Sequence, residues 1–224
     1  MIDSKMTETI FIDWDGTLSK SRFWEQWRDD TDCSRYYQTI SDKLFSDDKP
    51  TIDAWMRGEL SAEDVCEKLT KVIDLSKDEI LEALRVSCES MVVVDSALDK
   101  VQHLRQLGKR VIIATDNMDT FSRWTVPALR LDRQFDDIIN SASIGSFKKD
   151  KTDDGSSLFF GGYLNDGKYT LIDDSPNANV VEDFGITWLP VDEKTAVDWL
   201  DEIILRIIQT PPPAVAPLKT SNTL

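Results

Sequence analysis

The sequence predicts an α/β protein, a doubly wound parallel sheet with an all-helical stretch inserted after the first strand. Three observations carry this expectation. Short apolar, β-branched runs at residues 9–12, 109–114, 137–140, 169–172 and 186–191 alternate, after Met91, with amphipathic segments at helical spacing. Residues 19–90 hold hardly any strand-like run. The ends of the apolar runs carry acids or a hydroxyl: Asp13 and Asp15, Thr115 with Asp116 and Asn117, and Asp173 with Asp174. In open parallel sheets the crevice beyond the carboxyl ends of the strands is where ligands bind.

The first run, Thr9-Ile10-Phe11-Ile12, reads as a short buried strand, and Gly16 lets the chain turn away just after it. Alternate residues of an extended segment point the same way, so Asp13 and Asp15 are expected to face one site. Paired acids at the mouth of a buried strand are costly unless a metal or another cation compensates them.

The inserted stretch opens with residues 22–27, expected as a helix carrying Phe23, Trp24 and Trp27 on one face. A second helix is expected around Tyr36, Tyr37, Ile40, Leu44 and Phe45. Ser61 with early acids starts a third, with Val65, Leu69, Val72 and Ile73 as its stripe. Ser76 and Glu79 form a capping box for a fourth, followed by Ile80, Leu81, Leu84 and Val86. Residues 96–107 make a helix closed by Gly108. Residues 119–130 are helical with Pro127 as a break, and residues 177–184 are helical up to Gly185. Residues 195–208 form a last amphipathic helix. The proline-led tail, residues 211–224, is expected to be extended and disordered. The organisation expected is thus an α/β core from residues 1–18 and 91–210, and a helical domain from residues 19–90.

The bulk numbers exclude several functions. A formal net charge of −15 opposes a nucleic-acid partner or an anionic membrane surface. Three widely spaced Cys with no CxxC suggest reduced thiols in a cytoplasmic protein, not disulfides or a zinc site. No signal peptide and no bilayer-length apolar run is present. The single His103 lies beside the apolar stripe of its helix, which argues against a Ser-His-Asp triad or a multi-histidine metal centre. Chemistry therefore falls to carboxylates, lysine and hydroxyls. Such a set, with Lys148 from a loop on the same sheet edge, suits magnesium-assisted phosphoryl transfer, where an aspartate serves as nucleophile and positive charge offsets the phosphoryl oxygens.

The strings Asp13-Trp14-Asp15-Gly16-Thr17, Thr115, Lys148 and Asp173-Asp174, in this order, resemble the four motifs of the haloacid dehalogenase superfamily. The resemblance covers about residues 8–208. Ser141-x-x-x-Gly145-x-x-Lys148 is similar to the family's approach to its lysine, although Lys149 stands where the family usually has Pro. It implies a Rossmann-like core with a helical cap of the C1 type between the first two motifs. It also implies roles. Asp13 attacks phosphorus and becomes an aspartyl-phosphate, and Asp15 is the acid/base. Thr115, Asp116 and Lys148 meet the phosphoryl group. Mg2+ is held by Asp13, the Asp15 backbone carbonyl and the last motif, where Asp174 aligns best and Asp173 is the other candidate. Asp116 departs from the family pattern, which has Asn directly after the hydroxyl residue; here Asn117 follows one place later. Asp15 favours phosphate esters over carbon–halogen bonds.

The expected activity is hydrolysis of a phosphate monoester of a small metabolite. A phosphomutase or phosphotransferase, and a catalytically idle binding protein on the same fold, are the alternatives. Two other features have plainer readings. Residues 162–168 nearly spell a P-loop, but Tyr169 replaces the needed Ser or Thr, so they read as a turn. Trp24, Trp27 and Trp55 are expected to pack a core rather than line a pocket. The sequence carries no signal for an oligomeric state.

Overall fold

The structure, a computed structural model, describes residues 8–191. The expected helix at residues 195–208 and the proline-led tail lie outside them.

Five strands, β1 (Glu8–Ile12), β2 (Arg110–Thr115), β3 (Asp137–Asn140), β4 (Lys168–Asp173) and β5 (Ile186–Pro190), form one all-parallel sheet in the order β3-β2-β1-β4-β5. The chain builds outward from β1 to β3, then returns to the other side of β1 for β4 and β5. The order therefore reverses between β1 and β4. Both faces are covered. Ile10 and Ile12 of β1, with Val111 and Ile113 of β2, pack on one side. Phe11, Ile112, Ala114 and Leu171 pack on the other, against Phe159, Phe160 and Val181. That double burial is why these strands read as continuous apolar runs rather than alternating ones.

Between β1 and β2 the chain is helical: α1 (Ser34–Ile40), α2 (Lys49–Met56), α3 (Ala62–Leu69) and α4 (Lys77–Glu89). Ser61 and Ser76 each make the reciprocal capping box, with Asp64 and Glu79 respectively. These helices share one apolar cluster with the adjacent sheet face. Trp24 and Trp55 are fully buried in it. α5 (Ala97–Gln106) precedes β2, and Gly108 beyond it takes a left-handed conformation.

The structure differs from the sequence expectations in four local places. Residues 22–27 hold only a single 3-10 turn, Glu25–Trp27, because Trp24 is left-handed with φ of 54°. Its main-chain N–H donates to Ser87 Oγ at 3.0 Å and its indole N–H to the Ile80 carbonyl at 3.0 Å, so tertiary anchors on α4 override helical spacing. Val72 lies beyond the end of α3 and is half exposed. The segment before Pro127 widens into a π turn, Phe121–Thr125, before α6 (Val126–Leu129) and α7 (Leu131–Gln134), since Pro127 lacks the N–H a continuous α-helix needs. Ala178–Phe184 is a 3-10 helix whose buried residues, Ala178 and Val181, recur at its three-residue period.

Candidate active site

The site lies at the carboxyl ends of β1, β2 and β4, at the point where strand order reverses. Ile12 pairs with Ile113 on one side and Ile172 on the other. The Asp13 N–H then donates to the Ile172 carbonyl at 2.9 Å, which fixes Asp13 beside the end of β4. Lys148 arrives on the loop after β3, led by the short helix α8 (Ser141–Ile144) and a left-handed Gly145.

Lys148 Nζ donates to Asp13 Oδ1 at 2.9 Å and to Asp173 Oδ2 at 2.5 Å. All three side chains are at least nine-tenths buried. Asp173 Oδ1 accepts the Ser175 N–H at 2.8 Å, so both oxygens of Asp173 are occupied. Burial pushes the Asp13 carboxyl above the usual carboxylate range, and the Lys148 ammonium offsets only part of this. Burial by itself would depress the Lys148 ammonium. The Asp13, Asp173 and Asp116 carboxylates outweigh it and keep the ammonium charged, well above its ordinary value. One cation thus serves two buried carboxylates, with a third, Asp174, next to them.

Carboxylate oxygens of Asp13, Asp173 and Asp174 all lie within 4.8 Å of one another. Oxygen ligands at this spacing, with more negative charge than one lysine neutralises, fit a hard divalent cation. Asp174 carries the least committed carboxylate. It is partly exposed, and burial followed by the Asp173 charge raises its pKa. Its nearest neighbours come from the turn after β1. Thr17 Oγ1 lies 3.5 Å from its Oδ1, and Gly16 has φ of +79°.

Asp13 and Asp15 line one cavity, as expected, but strand alternation is not the reason. The strand ends at Ile12 and Trp14 begins a turn, so the two-residue alternation does not continue. The Asp15 carboxylate instead pairs with Arg22 at 2.5 Å on an exposed rim. Asp15 and Asp116 both line the cavity that holds the acid centre. The Asp116 carboxylate accepts the Lys148 N–H at 2.9 Å, so it holds the lysine loop. Thr115 ends β2 fully buried, and its hydroxyl has no hydrogen-bond partner among the described residues. Thr115 is not among the residues that line either cavity at the site.

Three contributors were not found from sequence. Arg22 pairs with Asp15 from nine residues beyond Asp13. Gly16 was read as a turn only, not as the space that admits Asp174. Arg57 of the helical segment reaches Asp150 at 2.7 Å and stacks on Phe147, 4.1 Å from its ring centre, bracing the lysine loop. Trp24 and Trp55 are core residues, as expected, whereas Trp14 lines a second cavity.

No family model and no curated protein matches this sequence. Solved structures do match its fold. A HAD-like family hydrolase from Porphyromonas gingivalis superposes with a TM-score of 0.67 at 18% identity, covering 92% of this chain and 100% of its own. A HAD family enzyme from Bacteroides thetaiotaomicron, solved in complex with magnesium and inorganic phosphate, gives 0.61 at 16% identity, covering 83% and 94%. L-2-haloacid dehalogenase from Xanthobacter autotrophicus gives 0.60 at 12% identity, covering 95% and 86%. The chain has the fold of the haloacid dehalogenase superfamily. Among the described residues, no helix is long and apolar enough to cross a membrane.

Proposed function

We propose that this chain is a magnesium-dependent hydrolase of the haloacid dehalogenase superfamily that cleaves a phosphate monoester of a small metabolite through an aspartyl-phosphate at Asp13. The observation that carries the reading is the buried Asp13–Lys148–Asp173 arrangement with Asp174 beside it. We read residues 19–90 as the cap, of the C1 type, over an α/β core, and the buried free thiols Cys66 and Cys88 support a cytoplasmic setting.

In this reading Mg2+, held by Asp13, the Asp15 carbonyl and Asp174, supplies positive charge to the phosphoryl oxygens. Asp13 presents its carboxylate to phosphorus, and Lys148 favours the ionised form against the burial that opposes it. Thr115 would have to turn its unpaired hydroxyl into the cavity to meet the phosphoryl group. The Asp116 side chain is already an acceptor for Lys148, so contact to phosphate at this position falls to the main chain. Asp15 stands on the rim, where it protonates the leaving oxygen and then takes a proton from the attacking water. Arg22 has to release its carboxylate first. A carboxylate acid/base at this place serves an alkoxide leaving group, which supports ester hydrolysis over dehalogenation.

The test is phosphate release from p-nitrophenyl phosphate. Activity is expected with Mg2+, lost with EDTA, and lost in Asp13→Asn. Activity that survives EDTA, or survives Asp13→Asn, overturns the reading. Added alcohols that divert the phosphoryl group from water would instead favour a phosphotransferase.

A further inference from the structure

Two cavities meet at the site. One, of about 550 Å³, holds Asp13, Lys148, Asp173 and Asp174. The other, of about 490 Å³, runs between the sheet edge and the helical segment. They share Asp15, Met56 and Asp116. The second cavity is walled largely by Trp14, Phe23, Tyr37, Phe45, Ile52 and Met118. Among the described residues its one basic lining residue is Arg22, which pairs with Asp15. The aromatic wall is braced from behind: Trp14 packs on Phe121 at 5.2 Å between ring centres, and Phe23 stacks on Phe45 at 6.3 Å and on Trp55 at 5.8 Å.

Building on the proposed phosphatase reading, we infer that the second cavity binds the alcohol part of the substrate, and that this part is an apolar, aromatic-sized group. The volume lies in the range of small-ligand sites. Beyond the polar Ser21, Ser41 and Asn117, a polyol would set its hydroxyls against aromatic and aliphatic walls, at the cost of unpaired polar groups. Asp15 sits where the two cavities join, which is where the bond between phosphoryl group and alcohol oxygen has to lie.

The experiment uses the full chain with Mg2+ and four esters whose leaving groups are all alkoxides: 2-phenylethyl phosphate, ethyl phosphate, glycerol 1-phosphate and phosphoglycolate. The expected kcat/KM for 2-phenylethyl phosphate is about 30-fold above ethyl phosphate, in line with burial of one aromatic group, and higher still against the other two. Phe45→Ala and Ile52→Glu are expected to lower the phenylethyl-to-ethyl ratio at least tenfold, a ratio that general damage to folding does not move. Turnover with no such preference, or with preference for glycerol 1-phosphate or phosphoglycolate, overturns the inference and leaves the phosphatase reading standing. If no ester is cleaved, calorimetric binding of 2-phenylethylphosphonate against ethylphosphonate decides. Tighter binding of the former supports the apolar cavity while the phosphatase reading fails. Equal binding overturns the inference too.

Discussion

A β-carbon added to Gly16 would lie 2.1 Å from Oδ2 of Asp174, in a backbone conformation with φ of +79° that side chains rarely adopt. The first acid turn and the last therefore interlock: the absence of a side chain at one makes the place for the carboxylate of the other. Gly16→Ala is expected to cost about 1–2 kcal/mol through the left-handed backbone alone. It should also push Asp174 out of the acid cluster and weaken Mg2+ binding by about tenfold or more. Urea unfolding without metal reads the first effect, and Mg2+ titration by calorimetry the second.

Lys148 is the one ammonium between Asp13 and Asp173. Lys148→Met removes it and leaves two buried carboxylates facing each other. Breaking a buried pair costs about 3–5 kcal/mol, and a loss of that order is expected in the metal-free protein. Mg2+ should recover part of it, because a divalent cation supplies the missing charge. Thermal unfolding of wild type and variant, with EDTA and with Mg2+, measures both.

The helical segment is held to the core by a polar cluster. Arg123 donates to Glu63 at 2.6 Å and to Asp119 at 2.7 Å, and the Trp55 indole donates to the other Asp119 oxygen at 2.6 Å. The hydrogen bond from Arg123 holds the Glu63 carboxyl at about 2, down from 4.5. A lowered folded-state pKa contributes stability that is fully present above the ordinary value and fades as pH falls toward the folded one. The stability difference between wild type and Glu63→Gln is therefore expected to be constant above pH about 4.5 and to shrink between there and pH about 2. Chemical unfolding across that range checks it.

Trp55→Phe keeps the buried ring and deletes its N–H. Asp119 then loses a donor in a part-buried place, for an expected cost of about 1–3 kcal/mol. In a double-mutant cycle with Asp119→Ala, which removes the acceptor, the coupling reports this bond.

The sheet and the acid centre were legible because each depends on local composition. Strands buried on both faces must be apolar throughout, and acids directly after such runs are conspicuous. Ser61 and Ser76 were legible for the same reason, since a capping box spans only four residues. What stayed hidden depends on distant partners. Nothing around Trp24 signals a left-handed residue, because Ser87 and Ile80 hold it there. Asp15 does share a cavity with Asp13, but not through strand alternation: the strand stops at Ile12, and the pairing of its carboxylate with Arg22 on the rim has no local signal. Nothing local to Arg57 or Arg123 marks either as a bracing residue. Their roles exist only once the helical segment rests on the loop bearing Lys148 and on the turn after β2.

Lys148 lies 135 residues from Asp13 and 25 from Asp173. Loop-closure entropy makes the longer contact late to form. Until β4 joins β1, Asp13 lacks its neighbouring carboxylates Asp173 and Asp174, so a half-built sheet carries no complete cation site. Metal affinity is thus a report on completed folding. During refolding, magnesium capture is expected to track the final phase and to lag behind the appearance of helical signal.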